Sequence, residues 1–484
     1  MKAVLFWILV LLMWIPSGLT FMGVKLSGEP LEGAAIDTLI PKLNKESYFE
    51  SRFQDSINLW VNDNIAFRNY LVRYSNSFKY HVFSSTQAPG VVVGNDNYLF
   101  IESYIQNYLG LNYIGDSAIK SNALKIQKVQ DKLKSLGTEL IIVLSPGKAS
   151  YFDEYIPDRY IKCRNSKTNY LEYRKEFKKQ GVAYLDYAEY FRNHKNRFKY
   201  PVFPTYGTHW TQYASSLVTD SIMGFLQQKL GKDLVRIDNS EVKLSDSLIH
   251  PDYDVGVLLN LKSRLKDKQM PYPKFKFIES NKYRPEVLVL GDSYWWCVVG
   301  CDLPNSLFKQ DVYWHYNKEV YIHNGLQEKG VADLNFIDEI LKREVVMIMC
   351  TEATLALFPY GFIDKAYGML CATKEERVNE LILEINSNAE WLKGIKEKAA
   401  KNGVELSKQV YADAEYMHSE EQKKLEQRLG QQSNVNDAIQ KIMEEIRNTP
   451  NWYSEIVKKA KINGISIEAQ VRKDAEYMLS SEAK

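Results

Sequence analysis

The sequence predicts an α/β fold with a mostly parallel sheet and flanking helices, and three observations support this prediction. Uninterrupted apolar runs recur along the chain, as in ELIIVLS (139–145), EVLVL (286–290) and VVMIMC (345–350). Segments with a helical pattern alternate with such runs, at 117–136, 166–180 and 211–229. The composition is that of an ordered protein, with 45% apolar and 25% charged residues. Continuous apolar strands that alternate with helices are typical of a parallel sheet covered on both faces.

The length and charge of the chain limit its organisation and its partners. With 484 residues, it is too long for one small core and long enough for two or three units. Its net charge of +2 gives no broad basic face, so we expect no nucleic-acid partner. We expect no metal site or cofactor, and we interpret the widely spaced cysteines as mostly buried thiols with room for one disulfide: Cys163, Cys297, Cys301, Cys350 and Cys371.

An uncharged stretch, AVLFWILVLLMWIPSGLTFMGV (3–24), lies at the start of the sequence. At about 1.5 Å per residue, a helix of this length spans about 33 Å, which is enough to cross a bilayer. A cleaved signal peptide is the alternative, but no small-x-small site follows the apolar run, where Thr20, Phe21 and Met22 lie. We therefore predict an uncleaved signal-anchor at 1–24, and both interpretations place the rest of the protein outside the cytoplasm.

The segment 25–85 is predicted to be a linker followed by an amphipathic helical region. Residues 25–44 carry Gly and Pro, as a linker would. Residues 45–83 have apolar side chains at helix-like spacing: Phe49, Phe53, Ile57, Trp60, Ile65 and Leu71.

The stretch GVVVGNDNYLF (90–100) has two apolar runs separated by a turn, which predicts a β-hairpin. It opens the main domain, which we assign to 86–384.

The C-terminal segment 385–484 contains a repeat. WLKGIKEKAAKNGVELSKQVYADAEYM (391–417) aligns without gaps to WYSEIVKKAKINGISIEAQVRKDAEYM (452–478), at an offset of 61 residues (452 − 391). Each copy predicts a helix, a stop at Asn402-Gly403 or Asn463-Gly464, and a second helix. The repeats form either an accessory docking module or a clamp that stabilises the neighbouring domain.

Ser293 is the candidate nucleophile. The strand EVLVL runs into GDSYWW (291–296), which places this serine at the carboxyl edge of the predicted sheet, where α/β folds hold their sites. Free N–H groups of a helix that starts there can stabilise an oxyanion. Gly291 allows a tight backbone, and Asp292 can tie the turn together. The alternative is an ordinary helix N-cap.

His209 is the candidate general base. It lies in GTHWTQYA (207–214), where a helix is predicted to begin just after it. The alternative is a structural histidine packed beneath Trp210.

The motifs, in this order, resemble those of the alginate O-acetylation proteins of the AlgJ/AlgX type, which have an SGNH-hydrolase-like, flavodoxin-like fold. The resemblance covers residues 45–362 and rests on five blocks: NLWVNDNIAFRNYLV (58–72), GNDNYLF (94–100), LSPGKASYFDEYIPD (144–158), GTHWTQYA (207–214) and LVLGDSY (288–294). The resemblance implies that Ser293 is the nucleophile and His209 the base. We place four further residues at the substrate or the oxyanion: Gly291, Asp292, Lys148 and Trp210.

The same resemblance implies a location and partners. Such proteins are membrane-tethered, extracytoplasmic domains that act beside a multi-pass membrane O-acyltransferase, which supplies acetyl groups for a surface polysaccharide. The function it implies here is O-acetyl transfer to a polysaccharide. An acetyl esterase that uses the same residues is an alternative, because transfer and hydrolysis differ only in the acceptor. A non-catalytic carbohydrate-binding or scaffold protein on a degenerate fold is another.

One part of the expected site is missing from the sequence. The aspartate that the family has two residues before the histidine falls on Gly207, which has no side chain. A histidine base needs a partner on its second ring nitrogen. Glu352, two residues after VVMIMC, is our first candidate for that partner. Asp292 and a backbone carbonyl are the others, and Gly207→Asp is expected to keep or raise activity.

Overall fold

A seven-stranded sheet forms the centre of the protein. The computed structural model describes residues 2–24, 26, 28–33, 40–278, 282–310, 312–322, 326–463 and 466–482. Across these residues the strands are, in chain order, β1 (Val91–Val93), β2 (Leu99–Ile101), β3 (Glu139–Ser145), β4 (Tyr184–Asp186), β5 (Arg236–Asp238), β6 (Val242–Ser245), β7 (Met270–Pro273), β8 (Lys276–Ile278), β9 (Val287–Gly291), β10 (Val312–His315), β11 (Glu319–Ile322), β12 (Leu326–Gly330) and β13 (Val345–Thr351).

The helices of the described residues form three groups along the chain. The N-terminal group is α1 (Lys2–Phe21), α2 (Lys45–Phe49), α3 (Arg52–Asn64) and α4 (Arg68–Phe83). The group around the sheet is α5 (Glu102–Tyr108), α6 (Asp116–Ser135), α7 (Lys148–Tyr151), α8 (Asp158–Ile161), α9 (Asn169–Gln180), α10 (Tyr187–Asn193), α11 (Gln212–Leu230), α12 (Asp254–Leu258), α13 (Trp296–Val299), α14 (Leu303–Leu307), α15 (Phe336–Leu341) and α16 (Phe362–Leu370). The C-terminal group is α17 (Lys374–Ser387), α18 (Ala389–Asn402), α19 (Leu406–Asn448), α20 (Pro450–Asn463) and α21 (Ile467–Glu482).

The strand order of the sheet is β12-β11-β10-β9-β13-β3-β4. Strands β10, β9, β13, β3 and β4 run parallel, and β11 and β12 add an antiparallel edge. The predicted α/β fold with a mostly parallel sheet is therefore confirmed. The apolar runs at 139–145, 286–290 and 345–350 become β3, β9 and β13, which lie side by side at its centre.

Successive residues of the central strands enter two separate cores. In β9, Leu288 and Leu290 pack into one core, with residues of α6, α9, α15 and α16. Val287 and Val289 pack into the other, with residues of α11, α13 and α14. Because helices cover both faces, the carboxyl ends of the parallel strands are the part of the sheet that a ligand can reach.

The structure also confirms the helices and the β-hairpin that were predicted in the N-terminal third. The apolar stretch forms α1, which among the described residues is the helix long and apolar enough to cross a membrane. The helical region predicted at 45–83 consists of α2, α3 and α4. The predicted hairpin is the antiparallel pair of β1 and β2, in which Val92 lies opposite Phe100.

The C-terminal region consists of two copies of a three-helix unit. Helices α17, α18 and the first part of α19 enclose one apolar cluster, which includes Ile395. The last part of α19 with α20 and α21 encloses the other, which includes Ile456, 61 residues further on (456 − 395). The predicted stop at Gly403 has a left-handed conformation with φ 65°, whereas Gly464 lies outside the described residues.

All five cysteines are free thiols. Cys297 and Cys350 are buried, Cys301 and Cys371 are half-buried, and Cys163 is exposed. The disulfide for which the sequence leaves room is therefore not formed.

We expect Ile456→Ala to destabilise the second helical unit by about 2–5 kcal/mol, because it leaves a cavity in a fully buried position. The matched control is Ile462→Ala in the same helix, at a position that is 81% exposed, and it should have almost no effect. Hydrogen exchange of the α20 and α21 amides measures this local stability. Equal protection in both variants would contradict the packing.

Candidate active site

Three segments meet at the carboxyl edge of the sheet. Ser293 follows β9 in a single 3₁₀ turn and is half-buried. His209 lies in the loop that precedes α11, whose N-cap is Thr211. Asp254 is the first residue of α12. The three side chains come from segments far apart in the sequence, and the fold brings them into one line of hydrogen bonds.

The imidazole of His209 is held between a hydroxyl and a carboxylate. Its Nε2 is 2.9 Å from Ser293 Oγ, and its Nδ1 is 2.6 Å from Asp254 Oδ2. The second oxygen, Asp254 Oδ1, accepts from the backbone N–H of Thr208 at 2.7 Å. An ionised carboxylate can only accept, so Nδ1 carries the proton and Nε2 accepts from the Ser293 hydroxyl. This is the geometry of a nucleophile, a base and an orienting acid.

The partner of His209 is Asp254 and not Glu352, so our first candidate is corrected. Glu352 Oε1 accepts from Arg192 Nη1 at 2.5 Å. Its Oε2 accepts from the Gly147 N–H at 3.0 Å and from the Ser150 hydroxyl. Glu352 therefore joins the end of β13 to the turn after β3. The other two candidates, Asp292 and a backbone carbonyl, are corrected by the same finding, because Asp254 occupies the second ring nitrogen.

Gly207 has no room for a side chain. A Cβ built there lies 2.7 Å from the carbonyl oxygens of both Pro251 and Asp252. The segment that delivers Asp254 thus packs directly on the backbone of Gly207. The expectation that Gly207→Asp keeps or raises activity is therefore reversed, since any side chain displaces the segment that carries the orienting acid.

Lys148 is a buried structural cation rather than a substrate contact. Its Nζ donates at 2.7 Å to each of three backbone carbonyls, those of Leu99, Thr205 and Gly207. Burial lowers the pKa of this ammonium to about 7, while the charge of Asp254 acts in the opposite direction. The three bonds use all three protons of the ammonium group. Lys148 thereby fixes the loop that carries His209.

Trp210 also has a structural role in place of the expected contact with the substrate. It is fully buried, and its Nε1 donates to the Tyr294 carbonyl at 3.2 Å. In return, the Tyr294 hydroxyl donates to the Thr208 carbonyl at 2.8 Å. These two bonds join Thr208 and Trp210, which flank His209, to Tyr294, which follows Ser293. They therefore set the distance between the base and the nucleophile.

Asp292 ties the nucleophile turn together, as the sequence analysis suggested, and it does not act as the substrate or oxyanion contact that we expected. Its Oδ1 accepts from the Tyr294 N–H, and its Oδ2 accepts from Thr351 N, Thr351 Oγ1 and Thr354 Oγ1 at 2.7–2.8 Å. Four donors thus satisfy this buried charge. At Gly291 a Cβ would come within 3.0 Å of the Met349 carbonyl, so the glycine permits close approach of β9 and β13.

Tyr316 is a site residue that the sequence did not suggest. Its hydroxyl lies near Ser293, its backbone N–H donates to the Gly291 carbonyl at 2.9 Å, and burial raises its pKa to about 12. Tyr316 and Asn317 are the first two residues of the three-residue turn between β10 and β11 (316–318), with φ 49° and 57°. A tyrosine rarely adopts this left-handed conformation, and such strain concentrates at functional sites.

Asp254 was missed because its local pattern is weak. It lies in PDYDVGVLLN (251–260), 45 residues after His209, in a part of the chain with no clear strand or helix pattern. The only signal is an aspartate at the start of a short apolar run, which fits a helix start equally well. Among the described residues, no three His, Cys, Asp or Glu side chains cluster as metal ligands would.

A hydrogen-bonded Ser–His–Asp line at the carboxyl edge of a mostly parallel, helix-covered sheet is the geometry expected of a serine hydrolase or acyltransferase with an SGNH-hydrolase-like fold. Comparison with known families agrees. Residues 91–288 match the family described as "SGNH hydrolase-like domain, acetyltransferase AlgX". The matched range contains His209 and Asp254 and ends shortly before Ser293. The resemblance to the AlgJ/AlgX type is therefore confirmed: residues 91–288 are similar to the SGNH-hydrolase-like domain of this acetyltransferase family.

Individual relatives are distant. A probable alginate O-acetylase AlgJ from Pseudomonas syringae pv. tomato is 24% identical over 141 residues, which are 29% of this chain and about a third (34%) of that protein. The O-acetyltransferase domain of Pseudomonas putida AlgJ aligns at 14% identity over 57% of this chain and 98% of that domain, with a TM-score of 0.35. Pseudomonas aeruginosa AlgX aligns at 12% identity over 57% of this chain and 67% of that one, with a TM-score of 0.36.

Asp252 generates a pH-dependent prediction. It is buried beside Asp254, and burial raises its pKa to about 7. Its Oδ2 accepts from the Tyr272 hydroxyl at 2.7 Å. Because its pKa is higher in the folded than in the unfolded state, its stabilising contribution is complete below about pH 4 and is lost as the pH rises to about 7.

We therefore expect Asp252→Asn to match the wild type near pH 4 and to be more stable above pH 7, by roughly 4 kcal/mol at most. Urea unfolding midpoints of both proteins, measured across this pH range, test whether the variant becomes more stable than the wild type as the pH rises. The same difference at both ends of the range would show that Asp252 does not titrate there.

Proposed function

We propose that this protein transfers an acetyl group to a hydroxyl of a polysaccharide through an acyl-enzyme formed on Ser293. The observation that carries the proposal is the continuous hydrogen-bonded line from Ser293 through His209 to Asp254. The family match supports acetyl transfer as the reaction. The curated relative described as a probable alginate O-acetylase supports a polysaccharide acceptor.

In the first half-reaction, His209 Nε2 takes the proton of Ser293 as Oγ attacks the carbonyl carbon of an acetyl donor. Asp254 stabilises the imidazolium and keeps its Nδ1–H directed at the carboxylate. The tetrahedral intermediate collapses, the bond to the leaving group breaks, and His209 returns the proton to that group. The products are acetyl-Ser293 and the deacylated donor.

In the second half-reaction, a sugar hydroxyl gives its proton to His209 and attacks acetyl-Ser293. Collapse releases the sugar ester, and His209 reprotonates Ser293. Both half-reactions place negative charge on the former carbonyl oxygen. The Tyr316 hydroxyl lies near Ser293 and keeps its proton at neutral pH, because burial raises its pKa to about 12. We assign it as a donor to this oxyanion.

The structure weakens one alternative function and leaves another. The scaffold interpretation rested on the missing carboxylate at Gly207, and Asp254 supplies that carboxylate. An acetyl esterase remains the second candidate, because Ser293 is half-buried and open to water as an acceptor. The two activities differ in whether a sugar hydroxyl or water receives the acetyl group.

The cellular setting is part of the proposal. Helix α1 has the length and composition of a membrane span. An uncleaved anchor would hold the site outside the cytoplasm, next to a multi-pass membrane O-acyltransferase as the acetyl supplier. The C-terminal helical units would then serve as a docking module or as a clamp on the sheet domain.

We expect Asp254→Asn to lower turnover of a chromogenic acetyl ester by about 10⁴-fold, which is the loss known for the equivalent change in a serine protease. Ser293→Ala should be inactive, and a serine-directed sulfonyl fluoride should label only chains that retain Ser293. Asp246→Asn, an exposed aspartate, is the matched control and should be fully active. Undiminished activity of Asp254→Asn would exclude the triad.

An added oligosaccharide acceptor distinguishes the two candidate functions. A transferase forms acetylated oligosaccharide and consumes the ester faster when the acceptor is present. An esterase releases acetate at a rate that the acceptor does not change. Absence of ester cleavage and of Ser293 labelling in the full chain would instead support the scaffold alternative.

Tyr316→Phe tests the oxyanion donor. We expect kcat for the acetyl ester to fall by about 10²-fold with little change in KM, because removal of one such donor acts on the transition state. Tyr321→Phe, whose hydroxyl contacts Glu319, is the matched control. A rise in kcat would show that the hydroxyl blocks the site rather than assists it.

A further inference from the structure

Helix α4 has its amphipathic pattern reversed. A helix on the surface of a water-soluble domain normally turns its apolar face inward and its polar face outward. In α4 the exposed positions carry six large apolar or aromatic side chains, which are between 50% and 64% exposed: Tyr70, Leu71, Tyr74, Phe78, Val82 and Phe83. We call this set the apolar stripe.

Two of the polar side chains of α4 bond to the rest of the domain. Arg73 donates from Nη2 to the Pro30 carbonyl at 2.8 Å and from Nη1 to the Leu261 carbonyl at 3.3 Å. Asn76 Nδ2 donates to the Leu259 carbonyl at 2.9 Å. These polar contacts and the buried ring of Tyr80 attach α4 to the domain, and the apolar stripe contributes little to that attachment.

Neighbouring α3 shows that the reversal is specific. Its exposed positions are mostly polar or charged, as in Arg52, Asp55, Asn58 and Asn62. The two helices follow one another in the chain, and only α4 has a nearly continuous apolar surface. Exposed apolar surface of this extent marks a contact with a partner or a membrane.

The end of α1 is attached to the start of α4. The Ala66 N–H donates to Thr20 Oγ1, and the Phe67 N–H donates to the Leu26 carbonyl, both at 2.8 Å. Further along, Asn69 Nδ2 donates to the Glu29 carbonyl at 3.0 Å. If α1 crosses the membrane, these bonds place α4 directly at the membrane surface.

The charge around the apolar stripe is positive. Helix α4 contains Arg68, Arg73 and Lys79 and no acidic residue. The adjacent basic loop, 262–268 (KSRLKDK), exposes four cationic side chains: Lys262, Arg264, Lys266 and Lys268. Lys262 Nζ lies 4.5 Å from the centre of the Tyr74 ring, so this loop borders the stripe. Aromatic residues flanked by Lys and Arg are typical of surfaces that lie in the headgroup layer.

We propose that the apolar stripe of α4 and the basic loop form a membrane-docking surface that lies in the headgroup layer of the bilayer crossed by α1 and favours anionic lipids. The proposal depends on the membrane anchoring stated above but not on the chemistry at Ser293. A lipid surface accounts for the stripe, the positive charge and the attachment to α1 together. A protein partner would account for the stripe alone.

The test uses the full chain in vesicles of equal parts phosphatidylcholine and phosphatidylglycerol, with Cys163→Ser as background to remove the exposed thiol. Spin labels are attached to Tyr74→Cys or Phe78→Cys in the stripe and, as the matched control, to Asn62→Cys on α3. We expect the ratio of collisions with oxygen to collisions with a water-soluble nickel complex to be severalfold higher at the stripe positions than at residue 62. Vesicles of phosphatidylcholine alone should reduce this difference.

Two outcomes would overturn the proposal. Equal ratios at all three positions, in chains that a carbonate wash does not release, would show that the stripe faces water while α1 stays inserted, so that a protein partner is the better occupant. Release of the chain by carbonate would refute the anchor and the docking surface together. Retention of ester turnover in either case would leave the proposed reaction unaffected.

Discussion

The ammonium of Lys148 binds three carbonyls, and the geometry of the site depends on this buried contact. Leu99, Thr205 and Gly207 provide the carbonyls, which belong to the hairpin strand β2 and to the loop before His209. An unpaired buried carbonyl costs about 1–3 kcal/mol, and an unpaired buried ammonium costs more. The cation and the loop therefore stabilise each other, which fixes the position of His209 at the end of that loop. Glu352 supports the arrangement by holding the turn that presents Lys148.

A second set of contacts relates the base to the nucleophile. The reciprocal bonds of Trp210 and Tyr294 span the gap between the two segments, and Asp254 fixes the imidazole from the other side. None of these bonds involves a substrate atom, so the site is preorganised before any donor binds. We expected four residues at the substrate or the oxyanion, and they instead hold the triad and the segments around it in position: Gly291, Asp292, Lys148 and Trp210.

The sequence was sufficient where the signal is local. Continuous apolar runs predict β3, β9 and β13, because a strand buried on both faces needs apolar residues at every position. Ser293 follows from its position after such a strand. Asp254 could not be predicted, because its role arises from tertiary packing: the segment that carries it fills the space that a side chain at Gly207 would need. Glu352 follows a buried parallel strand, where a catalytic carboxylate is expected. Only the contacts in the structure show that Asp254, and not Glu352, is the partner of His209.

The segment that follows Asp254 connects the site to the proposed membrane surface. Val255 and Leu259 pack with Tyr80 of α4 in one apolar cluster, which also includes Leu99. Further along the segment, Asp267 accepts from the Thr205 N–H at 2.8 Å in the loop before His209. The same short stretch of chain thus contacts the triad, the base loop and α4. A membrane that held α4 would therefore also orient the segments around Ser293, which suits the proposed delivery of the acetyl donor by a membrane protein.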